Sequence, residues 1–190
     1  AGKEPIFRIL PYQKKKAGIV TTGSEVYYHR IEDKFTPVVI EKLKECGVTE
    51  VKQIQCNDDH EMIMEAIQTL IEDGSDLIVC TGGMSVDPDD RTPLAIKNAC
   101  TEVVTYGAPV LPGAMFMLAY CEKEGRQIPV MGLPGCVMYA KRTIFDLVLP
   151  RIKCDEKLHE KDFRLLGQGG LCLSCPVCTF PNCGFGKGGY

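Results

Sequence analysis

The stretch DLIVCTGGMSVDPDDRTP, which runs from Asp76 to Pro93, decides the fold of this chain. Its unbroken apolar run up to Thr81 is typical of a β-strand that is buried on both faces. A loop rich in glycine and aspartate follows, and Thr92-Pro93 then opens a helix that we expect to continue to Ala99. A buried strand that leads through such a loop into a helix is typical of parallel α/β sheets.

The same alternation extends outward from this stretch in both directions. We predict further strands at residues 17–21, 50–55, 114–120 and 128–133, and helices from Thr36 to 47, from a cap at Asn57 or Asp58 to 74, and from 134 to Pro150. The last is expected to be one long amphipathic helix that Pro150 ends. Strands and helices that alternate at these lengths predict an α/β fold: a mostly parallel sheet with helices on both faces.

Composition limits the classes of function that the chain can have. The 190 residues are 45% hydrophobic, which excludes general disorder, and 22 basic against 25 acidic residues give a net charge of −3. That balance argues against nucleic acid as the main partner. No apolar run approaches the ~20 residues of a membrane-spanning helix. An odd total of 11 cysteines, seven of them scattered singly, favours free thiols in a reducing cytoplasm.

The sequence divides into three parts. Residues 1–16 have no sustained periodicity and are expected to be a linker or the end of a preceding domain, and residues 17–153 form the α/β domain. Residues 154–190 are a charged connector followed by a tail that contains four cysteines. After Leu165 the tail has seven glycines and one charged residue, Lys187, so it cannot build a core of its own.

The loops that follow the strands are the candidate ligand site. Ligands of open parallel sheets bind at the carboxyl ends of the strands. Glycines there let a ligand approach the backbone, while amides and hydroxyls favour an anion such as phosphate. The candidate binding residues are Thr22, Gly23, Ser24, Thr81, Gly82, Gly83, Met84, Ser85, Pro134 and Gly135.

Carboxylates crowd the same edge of the predicted sheet, and Asp58 and Asp90 are the candidate catalytic residues. Because carboxylates repel a bare phosphate, an anionic ligand would need a bridging cation, for which Mg²⁺ is the natural candidate. The simpler alternatives are that Asp58 caps a helix and that Asp90 is a solvated loop acid. Taken together, these loops predict a site for a phosphorylated or nucleotide-like small molecule.

Four segments also resemble a known family in order and spacing: 19–26 (IVTTGSEV), 57–59 (NDD), 76–93 and 132–135 (GLPG). The resemblance, which covers residues 17–152, is to the molybdopterin-binding domain of molybdenum-cofactor biosynthesis proteins, the MogA/MoaB and MoeA group. It implies a three-layer αβα domain that binds molybdopterin as its small-molecule ligand. By position it places residues 81–85 around the pterin phosphate. It assigns Asp58 and Asp90 to the handling of Mg²⁺, nucleotide or molybdate.

The resemblance implies one of two activities: adenylylation of molybdopterin with Mg²⁺ and ATP, as in MogA, or insertion of molybdate, as in MoeA. The sequence departs from the family at Met84-Ser85, at Ala114-Met115, where MoeA-like domains carry Lys-Pro, and at Cys136, where they carry Asn. These departures weaken the case for catalysis more than the case for binding. The alternative is a non-catalytic carrier or sensor module. The family also implies self-association into a homo-oligomer and contact with a molybdoenzyme or biosynthetic partner.

The tail carries a metal-binding motif, Cys172-x2-Cys175-x2-Cys178-x4-Cys183. Its first three cysteines have the spacing of a bacterial ferredoxin, which favours an iron–sulfur cluster. A four-thiolate Zn²⁺ site is the second possibility, although zinc knuckles are usually further apart. An unliganded, reduced tail is the third.

Overall fold

The computed structural model describes residues 8–85 and 87–188, and these residues form one six-stranded mixed sheet. Its strand order is β2-β1-β3-β6-β5-β4. The pairs from β2 to β6 are parallel, and β5 and β4 add an antiparallel edge. The strands are β1 Lys16–Thr22, β2 Glu50–Cys56, β3 Leu77–Thr81, β4 Glu102–Tyr106, β5 Met117–Lys123 and β6 Arg126–Leu133.

Helices pack on both faces of this sheet, which confirms the predicted α/β sandwich of three layers. Val39 and Phe145 belong to the apolar cluster on one face, and Ile67 and Ile96 belong to the cluster on the other. The helices are α1 Ser24–Tyr27, α2 Phe35–Glu45, α3 His60–Glu72, α4 Thr92–Ala99, α5 Cys136–Tyr139, α6 Ile144–Lys153 and α7 Glu160–Leu165. Each described helix is too short to cross a lipid bilayer.

The antiparallel edge was not predicted from the sequence. The side chains of Val103 and Tyr106 on β4 are 40% and 43% exposed, so this edge strand lacks the apolar run that marks an inner strand. Between β5 and β6 the chain turns at Glu124 and Gly125, which both have positive φ values, of 53° and 74°. Two such residues form the tight turn that suits an antiparallel hairpin.

The prediction of one long helix from 134 to Pro150 was wrong. The chain leaves helical geometry at Ala140 and starts again at α6, where Thr143 and Asp146 form a reciprocal capping box. Asp146 also accepts two hydrogen bonds of 2.9 Å from the buried Lys42 of α2. Pro150 lies inside α6 and does not end it, because the residues around it are buried in the core.

The cap of α2 also differs from the prediction. The first amides of α2 are capped by Asp33, whose Oδ1 accepts hydrogen bonds from the amides of Phe35 and Thr36 at 3.0 and 2.9 Å. The predicted cap, Thr36, instead pairs with Thr21 at 2.8 Å between their hydroxyl oxygens. A carboxylate placed before the helix therefore does what the threonine was expected to do.

Cys100 and Cys121, which were expected to be free, form a disulfide. Cys100 follows α4, and Cys121 lies on β5. The amide of Thr101 donates to the carbonyl of Tyr120 at 3.0 Å, so the two cysteines are brought side by side by neighbours that already pair.

The tail packs against the domain. Leu171 pairs with Leu111 in an isolated parallel bridge, and the side chain of Phe185 is buried in one of the two apolar clusters. Of the predicted linker, residues 8–15 contain no helix or strand, and its first seven residues lie outside the described residues, as do the last two of the tail.

Candidate functional site

Two adjoining cavities lie at the carboxyl ends of the parallel strands. The first has a volume of about 550 Å³ and is lined by Thr22, Thr81 and Gly82 and by residues 31–35. The second has a volume of about 310 Å³ and is lined by Gly83–Ser85 and Asp90, by Met115 and by Pro134-Gly135. Phe35 and Gly82 line both cavities. We call the two together the strand-end site.

The turn after β3 is built so that only glycine fits. Gly82 and Gly83 have φ values of +88° and +54°. A β-carbon on Gly82 would lie 2.7 Å from Oγ1 of Thr22, and one on Gly83 would lie 2.9 Å from Oγ1 of Thr92. Those two hydroxyls are themselves 3.2 Å apart. The backbone after β3 therefore lies directly against the end of β1, with no side chain between the two.

Thr81, the last residue of β3, has a polar atom that lacks a partner. Thr81 is fully buried, and the oxygen of its side chain, Oγ1, makes no hydrogen bond to any of the described residues. A buried polar atom left in this way costs about 1–3 kcal/mol, so it is usually explained by a ligand or a water. Thr81 is among the residues that line the first cavity, but its Oγ1 is itself buried, so a bound molecule would meet this atom only with a small movement of the cavity wall.

Asp90 holds the loop after β3 in place. Its Oδ2 accepts a hydrogen bond of 2.6 Å from the amide of Ser85. The hydroxyl of Tyr106 donates to the carbonyl of the same serine at 3.0 Å. Partial burial, together with the negative charge of Asp90, raises the pKa of Tyr106 above its ordinary value, so this hydroxyl keeps its proton. Asp90 therefore has a structural partner in its own loop, and both a catalytic role and the role of a solvated loop acid stay predictions.

Asp58 is bound to the loop after β1. Its Oδ2 accepts hydrogen bonds from the amide and the hydroxyl of Ser24, at 2.8 and 2.9 Å. The cap of α3 is its neighbour Asp59, which accepts from the amide of Met62 at 3.0 Å, so the simple reading of Asp58 as the helix cap was wrong. Asp58, Gly23 and Ser24 are not among the residues that line the two cavities.

The other residues predicted to bind the ligand lie together on the walls of the two cavities. Thr22, Thr81 and Gly82 line the first cavity, and the candidates from Gly82 to Ser85, Asp90 and Pro134-Gly135 line the second. Met84 contributes mainly through its backbone: its side chain is buried, and its Sδ would lie 2.6 Å from a β-carbon on Gly132.

The two candidate acids are not arranged as a preformed metal site. Across residues 8–85 and 87–188, no three or more histidine, cysteine, aspartate or glutamate side chains are grouped so that they could hold a metal ion. Mg²⁺, however, is commonly bound by one or two carboxylates together with substrate phosphates. The Mg²⁺ expectation therefore stays a prediction about the loaded site.

The wall formed by Asp33, Lys34 and Phe35 was not predicted from the sequence. Burial alone would raise the pKa of Asp33, but hydrogen bonds from Thr36, Gln53 and Phe35 outweigh it and lower that pKa below its ordinary value. Among the described residues that line the two cavities, Lys34 is the one basic side chain. The signal for this wall was the aspartate that precedes Phe-Thr-Pro at a helix start.

The four tail cysteines line a third cavity, with a volume of about 110 Å³. Its other walls include Phe180, Phe185 and the guanidinium of Arg142, which lies 5.1 Å from the centre of the Phe180 ring. Cys175 is exposed and the other three are half-buried. In the part of the chain that the structure describes, their thiols are not yet gathered as metal ligands.

A mainly parallel α/β sheet with its cavities at the carboxyl ends of the strands defines a class of small-molecule-binding domain. Residues 18–154 match the family described as a probable molybdopterin binding domain. The match covers more than half of the chain, and the chain belongs to this family, as the resemblance of its loops indicated.

The chain is also similar to curated and solved proteins. A CinA-like protein of Mycobacterium sp. (strain MCS) is 35% identical over 85 residues, which are 45% of this chain and 20% of that protein. A CinA-like protein of Mycobacterium avium (strain 104) is 34% identical over 95 residues, which are 50% of this chain and 22% of that protein. The chain therefore spans about a fifth of the length of these relatives.

Two solved structures share the fold at lower identity. A molybdopterin biosynthesis protein from Mycobacterium abscessus has a TM-score of 0.59 and 18% identity, and the match covers 74% of this chain and 92% of that one. The tungsten cofactor synthesizing protein MoaB from Pyrococcus furiosus has a TM-score of 0.56 and 20% identity, with 75% and 89% covered. At these identities the likeness establishes the fold alone.

Proposed function

We propose that the strand-end site binds molybdopterin and that the protein acts in molybdenum-cofactor biosynthesis, in molybdopterin adenylylation or molybdate insertion. The observation that carries this proposal is the unpartnered hydroxyl of Thr81, buried beside a glycine turn that leaves no room for a β-carbon. A ligand that supplies a hydrogen bond at that atom removes the cost of burying it alone.

The residues present fit the ligand that the family implies. The first cavity lies within the range of about 300–1,000 Å³ that is usual for small-molecule sites. Phe35 and Tyr139 are the aromatic residues of this wall available to a flat heterocycle, and Thr22 and Thr81 are polar residues of the same wall. The Gly82-Gly83 turn allows close approach of a phosphate to the backbone.

Charge decides what else the site needs. Asp90 lies on the wall of the second cavity, so a phosphate bound there would meet a negative side chain. Lys34 supplies one positive charge on the wall of the first cavity, and Mg²⁺ from solution, with ATP or molybdate, would supply the rest. In a catalytic protein, positioning and charge neutralisation by these groups would provide most of the rate.

A non-catalytic carrier or sensor is the second candidate function, and two observations favour it. Asp58 is engaged by Ser24 away from the cavities, and Ala114 stands where MoeA-like domains have a lysine. A carrier needs the pterin-binding walls but neither of these groups. Under both proposals we expect a homo-oligomer in a reducing cytoplasm that delivers to a molybdoenzyme or a biosynthetic partner.

An anaerobic titration of the full chain with molybdopterin, followed by fluorescence, tests the binding proposal. Saturable binding at one pterin per chain is expected, and the absence of binding would contradict both candidate functions. Addition of ATP with Mg²⁺, or of molybdate, then separates the two: formation of adenylylated or metallated product indicates an enzyme, and unchanged pterin indicates a carrier.

The Asp90→Asn variant refines this test where turnover is found. The amide oxygen of asparagine can still accept the hydrogen bond from Ser85, so the loop should keep its shape. We expect turnover to fall at least a hundredfold while pterin affinity changes little. Unchanged turnover would remove Asp90 from the catalytic assignment.

A further inference from the structure

We propose that Cys172, Cys175, Cys178 and Cys183 bind an iron–sulfur cluster in the cavity between the tail and the domain. This site is separate from the strand-end site, and the proposal does not depend on pterin binding. It rests on the position of the four thiols around one cavity, on the way the tail is anchored, and on the space between the thiols.

The tail is fixed at two points on either side of the cysteines. Before them, the amide of Leu111 donates to the carbonyl of Gly170 at 2.6 Å, and the amide of Cys172 donates to the carbonyl of Leu111 at 2.8 Å. After them, the side chain of Phe185 is 4% exposed and packs into the core. Because both ends are held by the domain, the four cysteines stay around one cavity, although their thiols would have to rearrange to hold a metal ion together.

The segment between these anchors lacks a framework of its own. Residues 172–183, all of which the structure describes, form no helix or strand. Four thiols in such a segment gain much of their order from a shared ligand, because metal binding and folding are coupled in small cysteine-rich modules. The thiols are not yet gathered as ligands, so we expect them to close around the metal as it binds.

The volume of the cavity and the spacing of the cysteines in the sequence favour an iron–sulfur cluster over a single zinc ion. The cavity of about 110 Å³ is several times larger than the ~10–15 Å³ that one water molecule requires, so it suits a group of several atoms. Cys172, Cys175 and Cys178 follow one another at two-residue intervals, as in bacterial cluster-binding runs, whereas structural zinc is usually held by two separate cysteine pairs.

The walls of the cavity are mainly apolar. Phe180 and Phe185 shield it from water, and Arg142, whose guanidinium also pairs with Glu45 and Asp146 at 2.7 and 2.8 Å, lies at its edge. A further cavity contains Leu171 and Cys172 on one side and Met115 and Pro134 on the other, and so connects the cysteines with the strand-end site. A cluster here would therefore be a near neighbour of whatever binds at the strand ends.

Anaerobic reconstitution of the full chain with sulfide and a mixture of ferrous and ferric iron tests this proposal, with Zn²⁺ alone as the parallel arm. Purified protein is then assayed for iron, acid-labile sulfide and zinc, and its visible spectrum is recorded. We expect about four iron and four sulfide ions per chain, with broad thiolate-to-iron absorbance. Zinc bound at one ion per chain, with no retained iron or sulfide, would overturn the assignment.

Two serine variants show where the iron is bound. Cys175→Ser alters an exposed residue, so it should leave the fold intact and lower the bound iron at least threefold. Cys154→Ser is the matched control: this free cysteine donates to the carbonyl of Leu10, outside the cavity, and a serine can do the same. Equal iron in Cys175→Ser and the parent chain, with circular dichroism showing both folded, would contradict the proposal.

Discussion

Gly82 and Gly74 have nearly the same positive φ, +88° and +84°, but different surroundings. A β-carbon on Gly74 would meet nothing within 4 Å, whereas one on Gly82 would meet the end of β1. Gly74→Ala should therefore cost about 1–2 kcal/mol, the strain of a left-handed alanine. Gly82→Ala should cost clearly more and should also abolish ligand binding.

Urea unfolding of the two alanine variants measures these costs, and a ligand titration measures the second effect. Gly74→Ala serves as the control, because it carries the same backbone strain far from the cavities. Equal losses of stability in the two variants would show that the close contact between Gly82 and Thr22 does not exclude a side chain at position 82.

The lowered pKa of Asp33 predicts how the stability of the folded chain depends on pH. Its pKa is lowered in the folded chain, so its contribution to stability is present above the unfolded value of about 3.9 and is lost as pH falls through the lower, folded value. The parent chain should exceed Asp33→Asn in stability near neutral pH, and the gap should narrow below about pH 4. Urea midpoints at several pH values test this, with Glu122→Gln, on the exposed end of β5, as the charge control.

Much of the site could be predicted at the scale of single residues. Gly82, Gly83 and Asp90 follow a strand that is unmistakable in the sequence, and topology alone brings that strand end to a ligand-binding edge. Asp33 and Phe35 were missed because they lie just before and at the start of α2, and their local sequence does not show that this helix start forms a wall of the first cavity.

At the scale of elements, the inner strands and the helices α3 and α4 were predictable because each has a complete local pattern. The break between α5 and α6 was missed, although part of its cause is local, since Thr143 and Asp146 have the spacing of a capping box. Asp146 pairs with Lys42, and both side chains are nearly buried, with 4% and 9% exposed. The apolar periodicity of 134–150 is continuous across this break, and therefore it predicted one helix.

Asp146→Asn should accordingly be strongly destabilising. It leaves the ammonium group of Lys42 buried without a counter-charge and weakens the capping box of α6. Loss of one partner of a buried ion pair costs about 3–5 kcal/mol. Thermal unfolding should show a large drop for this variant and almost none for Asp73→Asn, whose partner Lys52 is exposed. Similar drops in both would contradict the assignment.

At the scale of the whole molecule, the tail depends on the domain for its core. Phe185→Ala should release the tail, since this ring is its buried anchor. Limited proteolysis should then cut the tail much faster than in the parent chain, while residues 17–153 stay resistant. Val177→Ala, at a side chain that is 78% exposed, should leave cleavage unchanged. A protected tail in Phe185→Ala would show that another contact holds it.

The central claim, that a ligand meets the hydroxyl of Thr81, is tested most directly by Thr81→Val with two readouts. Without ligand, removal of an unpartnered buried hydroxyl should leave stability unchanged or raise it, whereas pterin affinity should fall about tenfold, or ~1.4 kcal/mol. Thr101→Val, which loses a 2.9 Å hydrogen bond to Tyr120, should show the reverse: lower stability and unchanged affinity. A Thr81→Val chain that binds molybdopterin as tightly as the parent would contradict the claim.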